Sequence, residues 1–289
     1  MHQHPHENAA GGNVAVREKH KPKRLCVQFA DVESAGIEPL PTKIESERRY
    51  VLKELPPGFD TKTCRCAVIN QGFFDADMGE GLPEDGRYLK MRVREQWEVD
   101  KGSTYELNSK TYLDGNNGDS DRTNRKEIPY KIRTKDGYKK LWDYTVGEHN
   151  QQFRLKKVRF YYEYQGDVLE IDVFLEPPRI KGAVITEIEF DSAQLAAAFD
   201  PATRLWLGQE VTKEKSLGNS SLASHGKLPK EYKSLRDDAQ DSFPELIERA
   251  KEVLAAYYEA HPEESPVVRM RPIVVVQQME NEVGQSAGV

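Results

Sequence analysis

Acidic and basic side chains recur two residues apart along this chain. The acidic pairs are Glu45 with Glu47, Glu170 with Asp172, and Glu187 with Glu189. The basic pairs are Arg92 with Arg94, Lys131 with Arg133, and Lys157 with Arg159. Clustered carboxylates are ligands that Mg²⁺ and Mn²⁺ prefer, and Arg and Lys bind phosphate oxygens. These residue types therefore predict a site for a polyanion that is bound together with a divalent metal ion.

A spacing of two residues is the period of a β-strand, in which residues i and i+2 point to the same face. Such alternation predicts eight strands, over Lys43–Leu52, Thr63–Gln71, Tyr88–Glu95, Ile128–Thr134, Tyr138–Val146, Lys156–Tyr164, Val168–Leu175 and Gly182–Phe190. Asp136-Gly137 predicts a hairpin between the fourth and fifth of them. Helices are predicted over Ser192–Phe199, capped by Asp191, and from Ser242 to about Ala260.

The sign of the charge changes from strand to strand instead of mixing within each strand. The first strand and the last two carry carboxylates, and the middle strands carry cations. If the sheet closes, these faces meet across an interior that must hold water or a ligand, because unpaired buried charges are costly. The alternative is an antiparallel sheet with one solvated face. Since no P-loop or G-x-G-x-x-G sequence precedes a helix, side chains would have to hold the phosphates.

The composition limits the class of protein. The 289 residues carry a net charge of -6, with 37% hydrophobic and 31% charged residues, and the mean hydropathy is -0.75. The apolar runs are too short for a transmembrane helix, and the acidic balance does not favour a nucleic-acid partner. Three cysteines, Cys26, Cys64 and Cys66, do not make a disulfide set, which is typical of reduced thiols in a cytoplasmic protein.

Three regions are predicted along the chain. Residues 1–40 read as a disordered tail with three histidines near its start, and residues 263–289 read as a second tail that includes a β-like patch at Val267–Val276. A single domain would occupy residues 41–262. Two loops rich in Asp and Gly, Asp75–Arg87 and Asp114–Asp121, lack the pattern of an EF-hand. The oligomeric state is left open.

Eight short motifs, in chain order, resemble those of the CYTH superfamily, the triphosphate tunnel metalloenzymes. Glu45-Ser46-Glu47-Arg48-Arg49 resembles the E-x-E-x-K signature, and Ile69-Asn70-Gln71-Gly72-Phe73 the second-strand motif. The others are Arg92 with Arg94, Lys157-Val158-Arg159, Glu170–Phe174, Glu187-Ile188-Glu189, Trp206–Thr212 and Asn219–Ala223. The resemblance covers residues 43 to 223. It implies an α+β, mainly β fold: an eight-stranded antiparallel barrel with a few flanking helices.

The resemblance also implies roles for the charged residues. Glu45, Glu47, Glu187 and Glu189 would be metal ligands or their close support, and Glu170 with Asp172 would serve a second metal or surround the first. Arg92, Arg94, Arg133 and Arg159 would cradle the phosphate chain, with Arg49 and Lys157 as catalytic cations. The cofactor would be Mg²⁺ or Mn²⁺. Trp97, Trp142 and Trp206 belong to the core more readily than to a ring-binding site.

The sequence departs from the family pattern at three places. Arg49 replaces the signature lysine, Arg133 stands where lysine is usual, and the chain between Val146 and Lys156 is too short for the helix that many members carry there. The expected function is a metal-dependent phosphohydrolase that cleaves the terminal phosphoanhydride of a triphosphate-containing small molecule, with inorganic triphosphate as the substrate. The alternatives are a non-catalytic module that binds polyphosphate or nucleotide, and another activity of the family, such as a thiamine triphosphatase or an adenylyl cyclase.

Overall fold

The computed structural model of the chain describes residues 36–74, 90–112, 124–145 and 153–266. Within these residues there are ten β-strands: β1 (Ile37–Pro39), β2 (Lys43–Leu52), β3 (Arg65–Phe73), β4 (Lys90–Glu98), β5 (Gly102–Tyr112), β6 (Asn124–Ile132), β7 (Arg154–Tyr164), β8 (Asp167–Glu176), β9 (Val184–Phe190) and β10 (Leu207–Glu210). The same residues form six α-helices: α1 (Lys135–Asp143), α2 (Ala193–Ala198), α3 (Asn219–His225), α4 (Ser234–Asp237), α5 (Ala239–Ser242) and α6 (Pro244–Ala260).

Several predictions concern residues outside the described ranges. They are the tail before residue 36 with its histidines and Cys26, the loops Asp75–Arg87 and Asp114–Asp121, the short segment after Val146, and the patch Val267–Val276. Near the start of the described chain, β1 pairs with β6, so a strand lies inside the region predicted to be a tail. No described helix combines the length and apolar composition that crossing a bilayer requires.

Eight antiparallel strands close into a barrel in the order β2-β6-β5-β4-β3-β7-β8-β9, with β9 returning to β2. Closure depends on β2, which pairs with β9 on one side and with β6 on the other. The strands β1 and β10 extend the sheet beside β6 and β2. The predicted mainly-β fold with an eight-stranded antiparallel barrel is therefore confirmed.

Alternation along the strands places charge inside the barrel and apolar side chains outside it. In β9, Glu187 points inward, whereas Ile188 is fully buried on the outer face. The longest helix, α6, covers that outer face with Leu246, Ile247, Ala250, Val253 and Tyr257. The apolar core thus lies between the barrel and the helices, and it leaves the barrel interior to polar groups.

The tryptophans follow the same division. Trp97 and Trp206 are both 5% exposed and belong to the core cluster beneath α6. Trp142 packs beside a smaller cluster between α1 and the strands β4 to β6. Packing in the core is therefore confirmed as the role of Trp97 and Trp206.

One predicted strand is a helix. The segment predicted as strand Tyr138–Val146 instead forms α1, and no hairpin is made at Asp136-Gly137. The side chain of Thr134 accepts a hydrogen bond from the backbone N–H of Gly137, which caps the helix. Tyr138 and Leu141, three residues apart, are buried on one face of the helix, a spacing that a strand would place on opposite faces.

The strand that replaces it in the barrel is β5, which the alternation analysis did not identify. Its sequence Gly102–Tyr112 has few apolar residues, because its inner face carries polar groups and its outer face mixes leucine with serine. The predicted strand at Ile128–Thr134 also begins too late, since β6 starts at Asn124. Among the other predictions, the longer helix is confirmed as α6, and α2 is capped by Ser192 instead of Asp191.

Candidate active site

The barrel interior encloses a cavity of about 320 Å³, called here the tunnel. Three neighbouring strands, β8, β9 and β2, line it with carboxylates, and these form the acidic wall: Glu170, Glu187, Glu189, Glu45 and Glu47. Three other neighbouring strands, β4, β5 and β6, line it with cations, and these form the basic wall: Arg92, Arg94, Lys110 and Arg125. The two walls meet directly where β6 pairs with β2. One sign of charge therefore predominates on each wall, with Lys43 and Arg49 of β2 as cations beside the acidic wall.

Arg125 joins the two walls. It lies opposite Glu45 in the β2–β6 register, and its Nη2 is 3.4 Å from Oε2 of Glu45 and in closer contact with Glu47. Burial alone would lower the pKa of Arg125, but Glu47 and Glu45 outweigh it and raise the pKa. The guanidinium therefore stays charged and holds two carboxylates of the acidic wall.

A second set of contacts fixes the basic wall through Glu127, which is fully buried. Arg92 donates to Glu127 over 3.1 Å, Asn108 donates over 2.6 Å, and the ammonium of Lys43 lies 3.1 Å away. Burial would raise the pKa of Glu127, but Lys110 and Arg92 lower it well below its usual range. Lys110 also contacts Glu45, and burial together with Arg92 lowers the pKa of Lys110 to about 8.

Arg159 of β7 organises the remaining carboxylates. It donates to both oxygens of Asp172 over 2.7 and 2.8 Å and to Glu187 over 2.7 Å, and it contacts Glu170. Lys157 is fully buried and bonded to Asp172, and burial together with Arg159 lowers the pKa of Lys157 to about 8. Lys157 and Asp172 are buried in the barrel wall and are not among the residues that line the tunnel.

Arg49 lines the tunnel but is bonded to the backbone. Its Nη1 donates to the carbonyl oxygen of Leu217 over 3.0 Å, and its Nη2 donates to that of Thr212 over 3.1 Å. Its Nε lies 4.0 Å from Glu47 and has no hydrogen-bond partner among the described residues. The guanidinium is therefore largely engaged by the segment that follows β10.

Of the predicted site residues, Lys157 and Asp172 lie within the barrel wall, Arg133 lies outside the barrel, and the others line the tunnel. Arg133 lies just beyond the end of β6, and its side chain is 65% exposed and paired with Glu38 at 3.3 Å. The prediction that Arg133 binds phosphate is corrected, since this position is outside the tunnel. Arg125 lies eight residues earlier, an even number that places it on the same strand face, and its side chain lines the tunnel.

Sequence reasoning missed five cations of the lining: Lys43, Arg65, Lys110, Arg125 and Lys215. Lys110 was missed together with its strand, although Glu106, Asn108 and Lys110 repeat the spacing of two. Arg65 stacks its guanidinium 4.3 Å from the ring centre of Tyr161. A search for polar alternation without apolar partners would have found β5.

The carboxylates can be tested for their fit to a divalent metal ion. Within the described ranges, no group of three or more His, Cys, Asp or Glu side chains is arranged to hold a metal. Arg159 is already paired with Glu170, Asp172 and Glu187, so these carboxylates are poorly suited to bind a metal ion. Glu189 is different, because it forms no ion pair in the described part of the chain. Partial desolvation and repulsion by Glu45 raise the pKa of Glu189, so a cation beside it would be favourable.

Glu45, Glu47 and Glu189 are not arranged as a metal-binding group in this structure, but their carboxylates are of the donor type that Mg²⁺ and Mn²⁺ prefer. All three line the tunnel from the neighbouring strands β2 and β9, and all offer the carboxylate oxygens that these ions prefer. Glu45 and Glu47 are paired with the cations Lys110 and Arg125 of the basic wall, whereas Glu189 is not.

Comparison with known proteins finds a relative over part of the chain. The inorganic triphosphatase of Nitrosomonas europaea is 27% identical over 180 residues, which are 62% of this chain and 96% of that protein. A crystal structure of an inorganic triphosphatase is 24% identical, covers 62% of this chain and 93% of its own, and has a TM-score of 0.39. A protein from Pyrococcus horikoshii is 16% identical, covers 66% and 98%, and has a TM-score of 0.32. No protein-family model matches the chain.

The sequence match runs along almost the whole length of the relative. The ordered motifs and the charged barrel fit the triphosphate tunnel fold of the CYTH superfamily, to which this chain is similar.

Proposed function

We propose that the chain is a metal-dependent phosphohydrolase that cleaves the terminal phosphoanhydride of inorganic triphosphate inside the tunnel. The observation that carries the proposal is the division of the tunnel into a basic wall and an acidic wall. Arginine and lysine on one wall suit the oxygens of a phosphate chain, and carboxylates on the other suit a divalent cation. The curated inorganic triphosphatase that the chain resembles supports the same activity.

The basic wall has donors to spare for a ligand. The Nε groups of Arg92 and Arg94 have no hydrogen-bond partner among the described residues. Each of these arginines makes an ion pair through Nη2, with Glu127 and Glu106 respectively. Because phosphoryl transfer depends on fixed positive charge around the reacting group, these arginines are proposed to bind and orient the phosphate chain.

On the acidic wall, Glu45, Glu47 and Glu189 would hold the metal ion. When bound, Mg²⁺ or Mn²⁺ supplies positive charge to the phosphate oxygens and lowers the pKa of a coordinated water. Arg125 and Lys110 are proposed to turn from these carboxylates to the phosphate chain when the substrate enters. Arg159, Asp172 and Lys157 are proposed to support Glu187 and Glu170 instead of contacting the metal, because their groups already bond one another.

The aromatic residues of the lining support an inorganic substrate. In the described lining they are Phe73 and Tyr161. Tyr161 already carries the guanidinium of Arg65 on its face, and Phe73 is only 9% exposed. A base or thiazolium ring would therefore find little open aromatic surface in this part of the tunnel.

The test is phosphate release from tripolyphosphate, ATP and thiamine triphosphate with Mg²⁺, with Mn²⁺ and with EDTA. We expect metal-dependent release that is fastest with tripolyphosphate and lost in Glu47→Gln. Glu54→Gln is the matched control, because Glu54 follows β2 but is exposed. Faster release from ATP or thiamine triphosphate would assign another activity of the family.

The second candidate is a non-catalytic module that binds polyphosphate. It is favoured by one observation, the engagement of Arg49 by two backbone carbonyls where the family has a lysine. Tight binding of tripolyphosphate without phosphate release under any metal condition would support this candidate and contradict the hydrolase.

A further inference from the structure

The segment after β10, residues 211–220, has two different faces and is called here the strap. Its apolar side chains, Val211 and Leu217, are each 1% exposed and lie in the core cluster with Phe73 and Phe174. On its other face, Lys215, Gly218, Asn219 and Ser220 line the tunnel. None of the roles described above uses these polar residues.

Arg49 and its backbone tie the strap to β2. The backbone N–H of Arg49 donates to Oγ1 of Thr212 over 3.0 Å, and its carbonyl accepts from the N–H of Val211 over 2.8 Å. The guanidinium adds the two bonds to the carbonyl oxygens of Thr212 and Leu217. Since Arg49 is only 6% exposed, these bonds are shielded from water, and they hold the strap at residues 211–212 and at Leu217.

The two carbonyls explain why this position needs arginine. They belong to residues five apart in the sequence, and the flat fork of the guanidinium reaches both through different nitrogens. A lysine ammonium is a compact point charge on a flexible stem and does not impose that geometry. The main contacts of the Arg49 guanidinium are therefore with the strap, and the carbonyl oxygens partly screen its charge.

We propose that the strap is a third phosphate-binding wall of the tunnel, in which Lys215 and Asn219 bind non-bridging oxygens of the phosphate chain and Arg49 is the positioning residue. The ammonium of Lys215 offers charge and the amide of Asn219 offers two donors, the two kinds of group that hold phosphate oxygens. The inference rests on the proposed function only in that the tunnel takes a phosphate chain. It does not require turnover.

The binding part is tested by calorimetric titration of tripolyphosphate into the full chain in EDTA. Lys215→Met and Asn219→Ala should each weaken binding about tenfold, the effect of one charge-assisted hydrogen bond. Lys213→Met is the matched control, since Lys213 belongs to the strap but does not line the tunnel. Unchanged affinity in both Lys215→Met and Asn219→Ala would overturn the third wall and leave the proposed function standing. Absence of binding by the wild type both in EDTA and with Mg²⁺ would overturn both.

The positioning part is tested by hydrogen exchange of the strap amides beside the same titration. In Arg49→Lys we expect faster exchange at residues 211–220 and weaker tripolyphosphate binding. In turnover assays KM should rise while kcat changes little, because the strap binds ground state and transition state alike. Thr212→Val, which keeps the charge of Arg49, should shift both quantities in the same direction by a smaller amount.

Arg48→Lys is the control for the positioning part. Arg48 also donates to two backbone carbonyls, those of Ala196 and Phe199, but from the outer face of β2. The Arg48→Lys substitution should leave the hydrogen exchange of the strap amides and the affinity for tripolyphosphate unchanged. Weaker binding in Arg49→Lys with unaltered exchange would show that Arg49 contacts the ligand itself, and no effect on either would show that it positions nothing.

Discussion

Glu47 of β2 lies directly opposite Glu189 of β9 in the barrel register. Like charges at directly opposed positions of an antiparallel pair destabilise a sheet. Glu47 is compensated by its contact with Arg125, whereas Glu189 makes no ion pair within the described ranges. Partial desolvation raises the pKa of Glu189, as does repulsion by Glu45 and Glu187, and a bound cation would relieve this repulsion.

This repulsion predicts opposite effects of one substitution with and without metal. Glu189→Gln removes the uncompensated charge, so it should raise the melting temperature in EDTA by a few degrees. It should also reduce the further rise that Mn²⁺ gives the wild type, because one ligand is lost. Thermal unfolding followed by circular dichroism measures both. Glu163→Gln, at an exposed position of β7, should change neither value.

Arg125 predicts competition between a metal ion and the protein's own cation. Arg125→Met should tighten the binding of Mn²⁺ alone, because Glu45 and Glu47 no longer hold a guanidinium. The same variant should weaken tripolyphosphate binding by about tenfold or more. Titration calorimetry with each ligand separately measures these effects. Arg133→Met, just beyond the same strand but outside the tunnel, serves as the control, and weaker Mn²⁺ binding in Arg125→Met would contradict the competition.

Gly72 predicts a steric requirement within the second-strand motif. A Cβ at this position would lie 2.5 Å from Cγ2 and 2.9 Å from Oγ1 of Thr145. Thr145 has little room to move, since its hydroxyl donates to the carbonyl of Trp142 and accepts from Nε of Arg154. Gly72→Ala should therefore lower the free energy of unfolding by about 1–3 kcal/mol in urea titrations. In a Thr145→Gly background, Gly72→Ala should lower the free energy of unfolding by less than it does in the wild type.

Glu98 predicts part of the acid sensitivity of the fold. Hydrogen bonds from Arg65, over 3.0 and 2.7 Å, and then from Lys101 lower the pKa of Glu98 to about 2. A carboxyl whose pKa falls on folding stabilises the protein above its unfolded value, and this contribution is lost as the pH falls toward the folded value. Between pH 4.5 and about 2, wild-type stability should therefore fall more steeply than that of Glu98→Gln. Parallel urea titrations across this range would show equal slopes if the contacts of Glu98 contribute nothing.

The sequence was informative about which face of a strand a residue occupies. Glu47 and Arg159 could be assigned to the barrel interior because alternation is local and is decided by neighbours two positions away. The partner across the tunnel was not predictable in the same way. That Arg125 contacts Glu47 depends on the β2–β6 register, which only the closed barrel sets.

The failures have a common physical origin. The strand β5 escaped notice because both of its faces carry polar residues, so it lacks the apolar alternation that identifies most strands. Helix α1 was taken for a strand because Asp136-Gly137 is also a hairpin signal, and the cap at Thr134 decided the outcome. Arg133 was then placed in the tunnel because β6 was predicted to begin four residues and to end two residues too late.

The closure of the barrel through β2 also determines when the site can exist during folding. Hairpins such as β7–β8 join neighbouring segments, but β2 finds its partners only in β6 and β9, which lie far along the chain. Contacts between distant segments form late and slowly, since a long loop must be ordered first. The residues of β2 that are proposed to bind the metal ion, and Arg49, which ties the strap, would thus be among the last to reach their partners. A partly synthesised chain that ends before β9 would have no tunnel.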